Sequence, residues 1–474
     1  MSVRIKNATI HRIDLKTRMP FKYGIATMTE VPMIFVSVAI ETNGKQTSGT
    51  ASDLLPPKWF TKVPNETIEN EIAEMLRVIR NTIQISIDAE AENAFELWRL
   101  IYENQTKWAL TKSIPMLLAH FGTSLVERAL IEATCKHHKK SLGQALLEGN
   151  LGFSPESIHS ELKKNSFKKL LPPKPLSKIT VRHTIGLGDT LFEKQLIDNE
   201  ILDDSLPQSL EKCIQYYNLK QFKIKISGDL ESDLKRLIEI AEVITINSDE
   251  NFAFSLDGNE QFESIEAFRK YWMNLNKEKI LIPFLKHILF IEQPLHRDTA
   301  LSSSLKKEFD QWPDRPPVII DESDSTIKSL PQALIIGYSG TSHKNCKGIF
   351  KGIANSCLLE SRRQDGLNTV MSGEDLCNVG PVAVIQDLAV MAILGIQSVE
   401  RNGHHYMAGL SQFPKRTQNQ ILSAHPELYT KSEHSWPALT IINGQIDVST
   451  INKNPMGTGF ELDLNEYEEI PIRE

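Results

Sequence analysis

Two kinds of hydrophobic pattern divide the chain. The pattern of residues 3–60 predicts strands, and the β-rich segment 31–44, VPMIFVSVAIETNG, ends in an Asn-Gly pair typical of a turn. Residues 65–148 instead carry apolar positions at helical spacing. Examples are Leu125, Ala129, Leu130 and Ala133. A Pro- and Lys-rich stretch at 168–178 follows and marks a boundary. Residues 1–165 are therefore expected to form an α+β domain.

Beyond this boundary, short apolar segments alternate with helical ones. The predicted strands are 181–187, 222–226, 252–257, 288–292 and 318–321, and the clearest helices are 229–244, 349–363 and 381–395. Such alternation is typical of a parallel sheet with helical crossovers. Residues 175–424 are long enough for a (β/α)₈-type barrel, which needs roughly 250 residues. A doubly wound open sheet is the alternative, although no GxGxxG motif follows any strand. The tail 425–474 is expected to pack back on the first domain.

Composition narrows the classes of partner. The 474 residues carry a net charge of −7, which argues against nucleic acid, because a phosphate backbone needs a basic surface. The five scattered cysteines contain no CxxC pair and favour reduced thiols. The longest apolar stretch is broken by Gln386 and Asp387 and is too short to span a bilayer. No cleavable signal segment is recognisable at the N-terminus, so a cytoplasmic protein without membrane partners is expected.

Three predicted strands stop at a carboxylate. Asp257, Glu292 and Asp321 each follow an apolar run, and they are about 30 to 35 residues apart, or one βα unit of a barrel. In a barrel they would be neighbours at the catalytic face. Carboxylates brought together repel each other unless a cation neutralises them, and oxygen-only ligands suit Mg²⁺. Alternatively, each acid is simply a helix N-cap in a βα loop.

Two lysines lie on one side of an otherwise apolar strand. In FKIKISG (222–228), Lys223 and Lys225 share one face because side chains alternate along a strand. They could belong to a solvated face. In a barrel, however, the apolar face meets the helices and the lysines point inward, where a buried lysine near other cations has a lowered pKa and can act as a base. Lys344 and Lys347, in GTSHKNCKG (340–348), lie about one unit after Asp321 and could face the same site, or form a solvated or anion-binding loop.

Taken in order, these motifs resemble the enolase superfamily, in its mandelate racemase and muconate lactonizing branch. The matching elements are KxK at 223–225, DxN at 257–259, EQP at 292–294, DES at 321–323, and then a lysine before a glycine. The order and the approximate spacing both match. The resemblance covers most of the chain, since residues 1–165 also look like the α+β capping domain of that family.

The resemblance implies a modified TIM barrel, (β/α)₇β, with an N-terminal α+β capping domain. Mg²⁺ would be held by Asp257, Glu292 and Asp321, and the carboxylate of a small substrate would bind the metal. A base would remove the proton α to that carboxylate and give a metal-stabilised enediolate. Lys225 would be the acid/base on one face of the substrate and Lys344 the one on the other. Lys347 is the reserve for this second role. Lys223 would tune the pKa of Lys225 or touch the substrate carboxylate. Asn259 would support the site from behind.

The sequence also departs from the family pattern. The segment KNCKGIF lacks the usual Gly pair, and there is extra length around 186–215 and 298–316. The seventh-strand stretch 369–378 has no His, which favours the Lys/Lys arrangement of the muconate-lactonizing type. His404 and His405 are expected to be structural or to contact substrate. Cap loops at 20–27 and 52–60 would select the substrate. The loop residues expected to contact it are Lys22, Tyr23, Lys58 and Trp59.

The sequence supports one main hypothesis and two others. The main one is Mg²⁺-dependent racemisation or epimerisation, cycloisomerisation or dehydration of a small carboxylic acid by a homo-oligomeric enzyme. A Schiff-base lysine aldolase on a barrel would explain the lysines but not three converging acids. A non-catalytic barrel that only binds a ligand is the third possibility, because a fold does not determine a function.

Overall fold

The computed structural model describes residues 2–164 and 166–473, and it begins with an antiparallel sheet. Strands β1 (Val3–Tyr23), β2 (Ala26–Thr42) and β3 (Lys45–Leu54) pair in sequence order, and the short β4 (Glu90–Ala91) pairs with β1. Four helices follow: α1 (Ile68–Ser86), α2 (Ala94–Thr111), α3 (Met116–His138) and α4 (Leu142–Leu147). Helix α3 is buried on all sides over most of its length, which makes it the core element of this domain.

Eight parallel strands form the second part of the molecule. They are β5 (Lys178–Ile185), β6 (Gln221–Lys225), β7 (Ala253–Asp257), β8 (Ile288–Glu292), β9 (Val318–Ile320), β10 (Gly340–His343), β11 (Val370–Gly373) and β12 (Ser398–Arg401). Each strand pairs with the next along the chain, and β12 pairs with β5. The sheet is therefore a closed barrel, which confirms the predicted fold class. The open doubly wound sheet is wrong, because an open sheet would leave β5 and β12 as unpaired edges.

Helices separate every consecutive pair of barrel strands. They are α5 (Leu210–Tyr217), α6 (Leu230–Asn247), α7 (Ile265–Leu275), α8 (Leu281–Leu285), α9 (Leu305–Asp310), α10 (Ser329–Ile336), α11 (Ile349–Gln364) and α12 (Ala383–Leu394). Helix α6 begins as the sequence predicts, since the Asp229 side chain accepts a hydrogen bond from the Ser232 amide. Helices α13 (Gly403–Tyr406) and α14 (Lys415–Ala424) follow the last strand. No helix of the described residues is long and apolar enough to cross a membrane.

The C-terminal segment contacts both parts of the molecule. Strands β13 (Tyr429–Lys431) and β14 (Pro437–Leu439) form a hairpin, and β15 (Gln445–Asp447) pairs antiparallel with β5 of the barrel. Strand β16 (Glu468–Ile470) pairs with β1 in the N-terminal sheet. Short 3₁₀ helices complete the structure at Pro155–Ser157, Ser160–Lys164, Phe167–Lys169, Glu193–Gln195, Asp198–Glu200, Asn345–Lys347, Ile451–Lys453, Pro455–Gly457 and Leu464–Glu466. The domain limits at 165, 175 and 424 stay a prediction.

A buried polar network joins the N-terminal domain to the barrel. Arg128 of α3 donates to the Asp53 carboxylate at 2.8 Å, and both side chains are inaccessible to solvent. The Asn378 side chain accepts from the Leu54 amide and donates to Asp387 of α12 at 2.8 Å. Burial, together with the nearby charge of Asp53, raises the pKa of Asp387 to about 8. The network therefore holds a carboxyl group that is protonated at neutral pH.

We expect Asp387→Asn to flatten the pH dependence of the free energy of unfolding. Because the pKa of Asp387 is higher in the folded protein than in the unfolded chain, its contribution is fully present below the unfolded pKa and is lost as the pH rises through about 8. The loss is at most about 1.4 kcal/mol per pH unit. Urea unfolding at about pH 5 and about pH 8 measures it, with the exposed Glu231→Gln as control. Parallel pH profiles for wild type and Asp387→Asn would contradict this assignment.

Candidate active site

Strand β6 carries the two lysines on the inner side of the barrel. Phe222 and Ile224 are fully buried on the other face, whereas Lys223 and Lys225 contact acidic side chains from neighbouring strands. Lys223 is 1% exposed and Lys225 is 8% exposed. The lysine face of the strand is therefore buried inside the barrel, and it is not a solvated face.

Strand register brings Lys225 and two of the predicted acids to one level. Lys225 pairs with Asp257 across β6 and β7, and Asp257 pairs with Glu292 across β7 and β8. Paired residues on neighbouring parallel strands point to the same side of the sheet, so these three side chains meet inside the barrel. Asp321 directly follows β9 and joins them from the next strand. Acids that are one βα unit apart in the sequence therefore lie side by side in the barrel.

The Lys223 ammonium group lies in a cage of four carboxylates. Its Nζ atom is 3.0 Å from Asp257 and 2.9 Å from each of three glutamates. These are Glu292, Glu374 and Glu400. Burial by itself would lower the pKa of Lys223, but the four carboxylates outweigh burial and hold that pKa well above its ordinary value. Lys223 therefore does not have the lowered pKa that is expected for a lysine near other cations.

Lys225 lies nearer the open end of the barrel. Its Nζ donates to Asp257 at 2.8 Å and to the Asn259 side-chain oxygen at 3.1 Å. The backbone amide of Asn259 in turn donates to the other oxygen of Asp257 at 2.9 Å. Asn259 therefore orients both the lysine and the carboxylate that holds it.

Lys344 and Lys347 both bind Asp321, from different directions. Lys344 Nζ is 2.7 Å from Asp321 and 2.7 Å from Glu374. Lys347 Nζ is 3.0 Å from the other Asp321 oxygen and donates to the Ser342 carbonyl at 2.7 Å. Burial would raise the pKa of Asp321, but these two lysines hold it below its ordinary range. Only Lys344 of this pair lines the cavity shared with Lys225.

Three further charged residues belong to this cluster and escaped the sequence analysis. Glu374 follows β11 and contacts Lys223, Lys344 and Arg182. Glu400 lies within β12 and accepts from Thr184 at 2.6 Å. Burial would raise the pKa of Glu374, but its basic neighbours hold it well below its ordinary value. The signal for Glu374 is weak, because it follows the short and largely polar strand β11, whereas Asp257 ends an apolar one.

The cluster has the donor set that a hard divalent cation requires. Single carboxylate oxygens of Glu292, Asp321 and Glu374 lie within 4.8 Å of one another. The second oxygen of Glu292 is buried without a hydrogen-bond partner among the described residues. Burial and the charge of Glu374 raise the pKa of Glu292 well above its ordinary value, although Lys223 contacts its first oxygen at 2.9 Å. The structure groups Glu374, in place of Asp257, with the other two predicted ligands, and these residues fit Mg²⁺.

Two loops of the N-terminal domain close over the cluster. Trp59 covers Lys344, with the ammonium nitrogen 5.3 Å from the ring centre, and Tyr23 lines the same cavity while donating to the Pro57 carbonyl at 2.8 Å. Lys58 is directed away and donates to the Val63 and Glu66 carbonyls. The Lys22 side chain is exposed and lies outside the cavity lining. Of the four predicted loop residues, Tyr23 and Trp59 reach the site.

An ionic tether fastens the second loop to the barrel. Arg297 donates to the Trp59 and Phe60 carbonyls at 3.0 and 2.9 Å, and Glu260 binds the guanidinium group at 2.8 Å. Lys62 also contacts Glu260, at 2.5 Å. The cavity above the cluster measures only about 40 Å³, which admits water molecules but no organic acid. The loops are therefore in a closed position.

Comparison with known proteins supports the fold. No protein-family profile and no curated protein sequence matches the chain. Among solved structures, it is similar to a mandelate racemase/muconate lactonizing protein from Herpetosiphon aurantiacus, with 16% identity over 97% of this chain and 99% of that one and a TM-score of 0.59. A muconate lactonizing enzyme from Pseudomonas fluorescens, complexed with muconolactone, gives 16% identity, 98% coverage of both chains and a TM-score of 0.58.

A dipeptide epimerase is also similar. The enzyme from Cytophaga hutchinsonii, complexed with Mg and the dipeptide D-Ala-L-Val, gives 14% identity over 98% of this chain and 99% of that one, with a TM-score of 0.57. This chain therefore has the barrel-and-cap fold of the mandelate racemase/muconate lactonizing enzymes, and the resemblance predicted from its sequence is confirmed for the fold. Membership of the muconate-lactonizing subgroup stays a prediction.

We expect Glu374→Gln to lower the free energy of unfolding by about 3 kcal/mol at neutral pH without divalent cations. The change removes one charge from a cluster in which Lys223, Lys344 and Arg182 all contact this carboxylate, and a buried pair that loses one partner typically costs about 3–5 kcal/mol. Relief of the like charge on Glu292 offsets part of that cost. Urea unfolding in EDTA measures the effect, and an unchanged midpoint relative to Glu231→Gln would contradict it.

Proposed function

We propose that this protein is a Mg²⁺-dependent enzyme that removes the proton α to the carboxylate of a small organic acid. The observation that carries the proposal is the placement of Lys225 and Lys344. They come from β6 and from the segment after β10, line one cavity, and are both anchored on the same carboxylate cluster. Racemases, epimerases and cycloisomerases share this fold, which supports an isomerase-type reaction.

The chain's own residues divide the proton chemistry between them. Lys225 would take or return the α-proton on one face of the substrate, and Lys344 would do so on the other. Their carboxylate partners, Asp257 for Lys225 and Asp321 with Glu374 for Lys344, fix the ammonium positions. Lys223 is enclosed by acids and 1% exposed, so its role is to compensate charge and to position the cluster. Lys347 is tied to backbone and to Asp321, and its role is structural.

The metal would bind at the carboxylates, with Glu292, Asp321 and Glu374 as first candidates and Asp257 as the ligand expected from the family resemblance. When bound, Mg²⁺ would hold the substrate carboxylate and stabilise the negative charge left as the α-proton departs. Asp257 is at present engaged by two ammonium groups, Lys223 and Lys225. The choice between Asp257 and Glu374 as third ligand is open to mutagenesis.

The cap side of the cavity indicates the kind of substrate. Phe21, Met28 and Trp59 of the N-terminal domain, together with Leu376 of the barrel, line its apolar side, opposite the charged cluster. A small acid whose carboxylate faces the cluster and whose remaining part is apolar or of mixed polarity would fit this division. Racemisation, epimerisation, cycloisomerisation and dehydration of such an acid all begin with the same proton removal. Nucleic-acid and membrane partners are not expected.

The cellular setting and the competing hypotheses follow from other observations. All five cysteines are buried free thiols, which fits the expected cytoplasm, and a homo-oligomer stays a prediction. The Schiff-base aldolase hypothesis is less well supported, because it accounts for the lysines but not for the three carboxylates gathered beside them. Borohydride trapping with a carbonyl substrate in EDTA would revive it. For a binding-only protein, a complete set of acids and lysines around one cavity would have no purpose.

We expect Lys225→Arg to lower Mg²⁺-dependent α-proton exchange by roughly 10²–10⁴-fold. Arginine keeps the positive charge beside Asp257 but does not release its proton at working pH. The measurement is NMR of a library of small carboxylates in D₂O, each offered as both enantiomers. Lys344→Arg should abolish exchange from the opposite enantiomer if the reaction is a 1,1-proton transfer. Exposed Lys235→Arg is the matched control.

Two outcomes would contradict the lysine assignment. One is exchange at the wild-type rate in Lys225→Arg. The other is an equal loss in Lys235→Arg, which would indicate a general effect of the substitution. If wild type exchanges no member of the library while binding Mg²⁺ normally, the site is a binding site and the catalytic proposal fails.

We expect Glu292→Gln to weaken Mg²⁺ binding at least tenfold. The substitution replaces the carboxylate whose second oxygen lacks a partner, at the centre of the oxygen cluster. Titration calorimetry with MgCl₂ measures the affinity, and circular dichroism checks that the variant is folded. Glu231→Gln should bind as wild type does. Equal affinity in Glu292→Gln and wild type would place the metal elsewhere.

A further inference from the structure

A second cluster of side chains that could bind a metal ion lies apart from the carboxylate cluster. It consists of His183 on β5, Cys213 on α5 and His405 on α13, and one ligand atom from each lies within 4.8 Å of the other two. Their exposed fractions are 1%, 0% and 3%. None of the three lines the cavity of the candidate active site, so the proposed proton chemistry does not use them.

The distance between the thiol and one imidazole matches a tetrahedral metal site. Cys213 Sγ is 3.5 Å from His405 Nδ1. Zinc bonds of about 2.3 Å to sulfur and about 2.0 Å to nitrogen, at the tetrahedral angle, place those two atoms about 3.5 Å apart. The centres of the His183 and His405 rings are 5.0 Å apart, so His183, the third candidate ligand, lies close to the other two.

A third histidine, His404, contacts the cluster. His404 Nε2 is 3.1 Å from His183 Nδ1, which is where the partner that orients a metal-binding imidazole usually lies. The other ring nitrogen of His404 is buried without a partner among the described residues. Three imidazoles and one thiol are thus buried next to one another, and burial of polar groups costs free energy unless each finds a partner.

The protonation states of the cluster suit metal binding. Burial lowers the pKa of His183 to about 3 and that of His405 well below its ordinary value, so both imidazoles keep a free lone pair at neutral pH. Burial raises the pKa of the Cys213 thiol. A metal ion would therefore displace one proton from Cys213 and form a metal–thiolate bond, as zinc does when it binds cysteine.

The charged groups around Cys213 would partly compensate the charge of a bound divalent ion. Asp189 and Glu193 act on the thiol from the acidic side, and Arg18 acts from the basic side. Arg18 is itself neutralised by Asp204, with nitrogen–oxygen distances of 2.6 and 2.8 Å. The net charge of the metal and one thiolate would be +1, which these acids offset.

We propose that Cys213, His183 and His405 form a metal site, separate from the carboxylate cluster, that takes a zinc-like divalent ion. Nitrogen and sulfur ligands select this class of metal over Mg²⁺. The site would join β5, the end of the long 186–215 segment and the turn after β12. The same turn accepts a hydrogen bond from Arg18 of β1 through the His405 carbonyl, at 2.9 Å. The extra length in 186–215 thereby gains a structural role.

Cobalt(II) is the probe, because a thiolate ligand gives it a sulfur-to-metal charge-transfer absorption that oxygen ligands do not give. The full-length protein, freed of metal with a chelator and then saturated with Mg²⁺ to fill oxygen sites, is titrated with CoCl₂. We expect the charge-transfer band to reach its plateau at about one equivalent. Zn²⁺ should then displace cobalt and remove the band. A folded wild type without this band would overturn the proposal.

Variants locate the site. Cys213→Ser should abolish the band, and Cys357→Ser, which changes another buried cysteine, should leave it intact. His405→Gln keeps the thiol and tests the site even if Cys213→Ser fails to fold. It should weaken cobalt binding at least tenfold. A band that survives Cys213→Ser, or one lost in Cys357→Ser, would assign the metal to a different cysteine and overturn the proposal.

Discussion

The compensation of buried charge at the open end of the barrel is the constraint on which the site depends. Five carboxylates and five basic groups contact one another there: Asp257, Glu292, Asp321, Glu374 and Glu400, with Arg182, Lys223, Lys225, Lys344 and Lys347. A single uncompensated charge in such a place would cost several kcal/mol. In the closed barrel this cost is avoided, because the strand register places each carboxylate next to a basic side chain.

That balance also explains why the lysines behave differently from first expectation. A lysine crowded only by cations would have a lowered pKa, whereas Lys223 and Lys344 are crowded by carboxylates and have raised ones. Any process that draws the carboxylates away from an ammonium group makes that group more acidic. The pKa of each lysine therefore depends on how many cations contact the same carboxylates. A change at one carboxylate alters the pKa of several lysines.

The strands and their terminal acids could be predicted because apolar runs followed by a polar residue are local signals. Asp257 and Glu292 end strands that are visible in the sequence. Glu374 follows VMSG, which is too short and too polar to stand out, and Arg182 and Glu400 lie within strands, where an inward charge looks like a solvent-facing one. Lys58 lies in a loop, and no periodicity fixes the direction of its side chain. Only closure of the sheet decides which charged faces are internal.

The tether between Arg297 and the carbonyls of Trp59 and Phe60 has a consequence for access to the cavity. The cavity is too small for an organic acid, so under the proposed function a substrate could enter and a product leave only when this loop detaches. Detachment would break the hydrogen bonds of Arg297, whose side chain does not line the cavity. The residence time of a product would then depend on an arginine that does not line the cavity holding it.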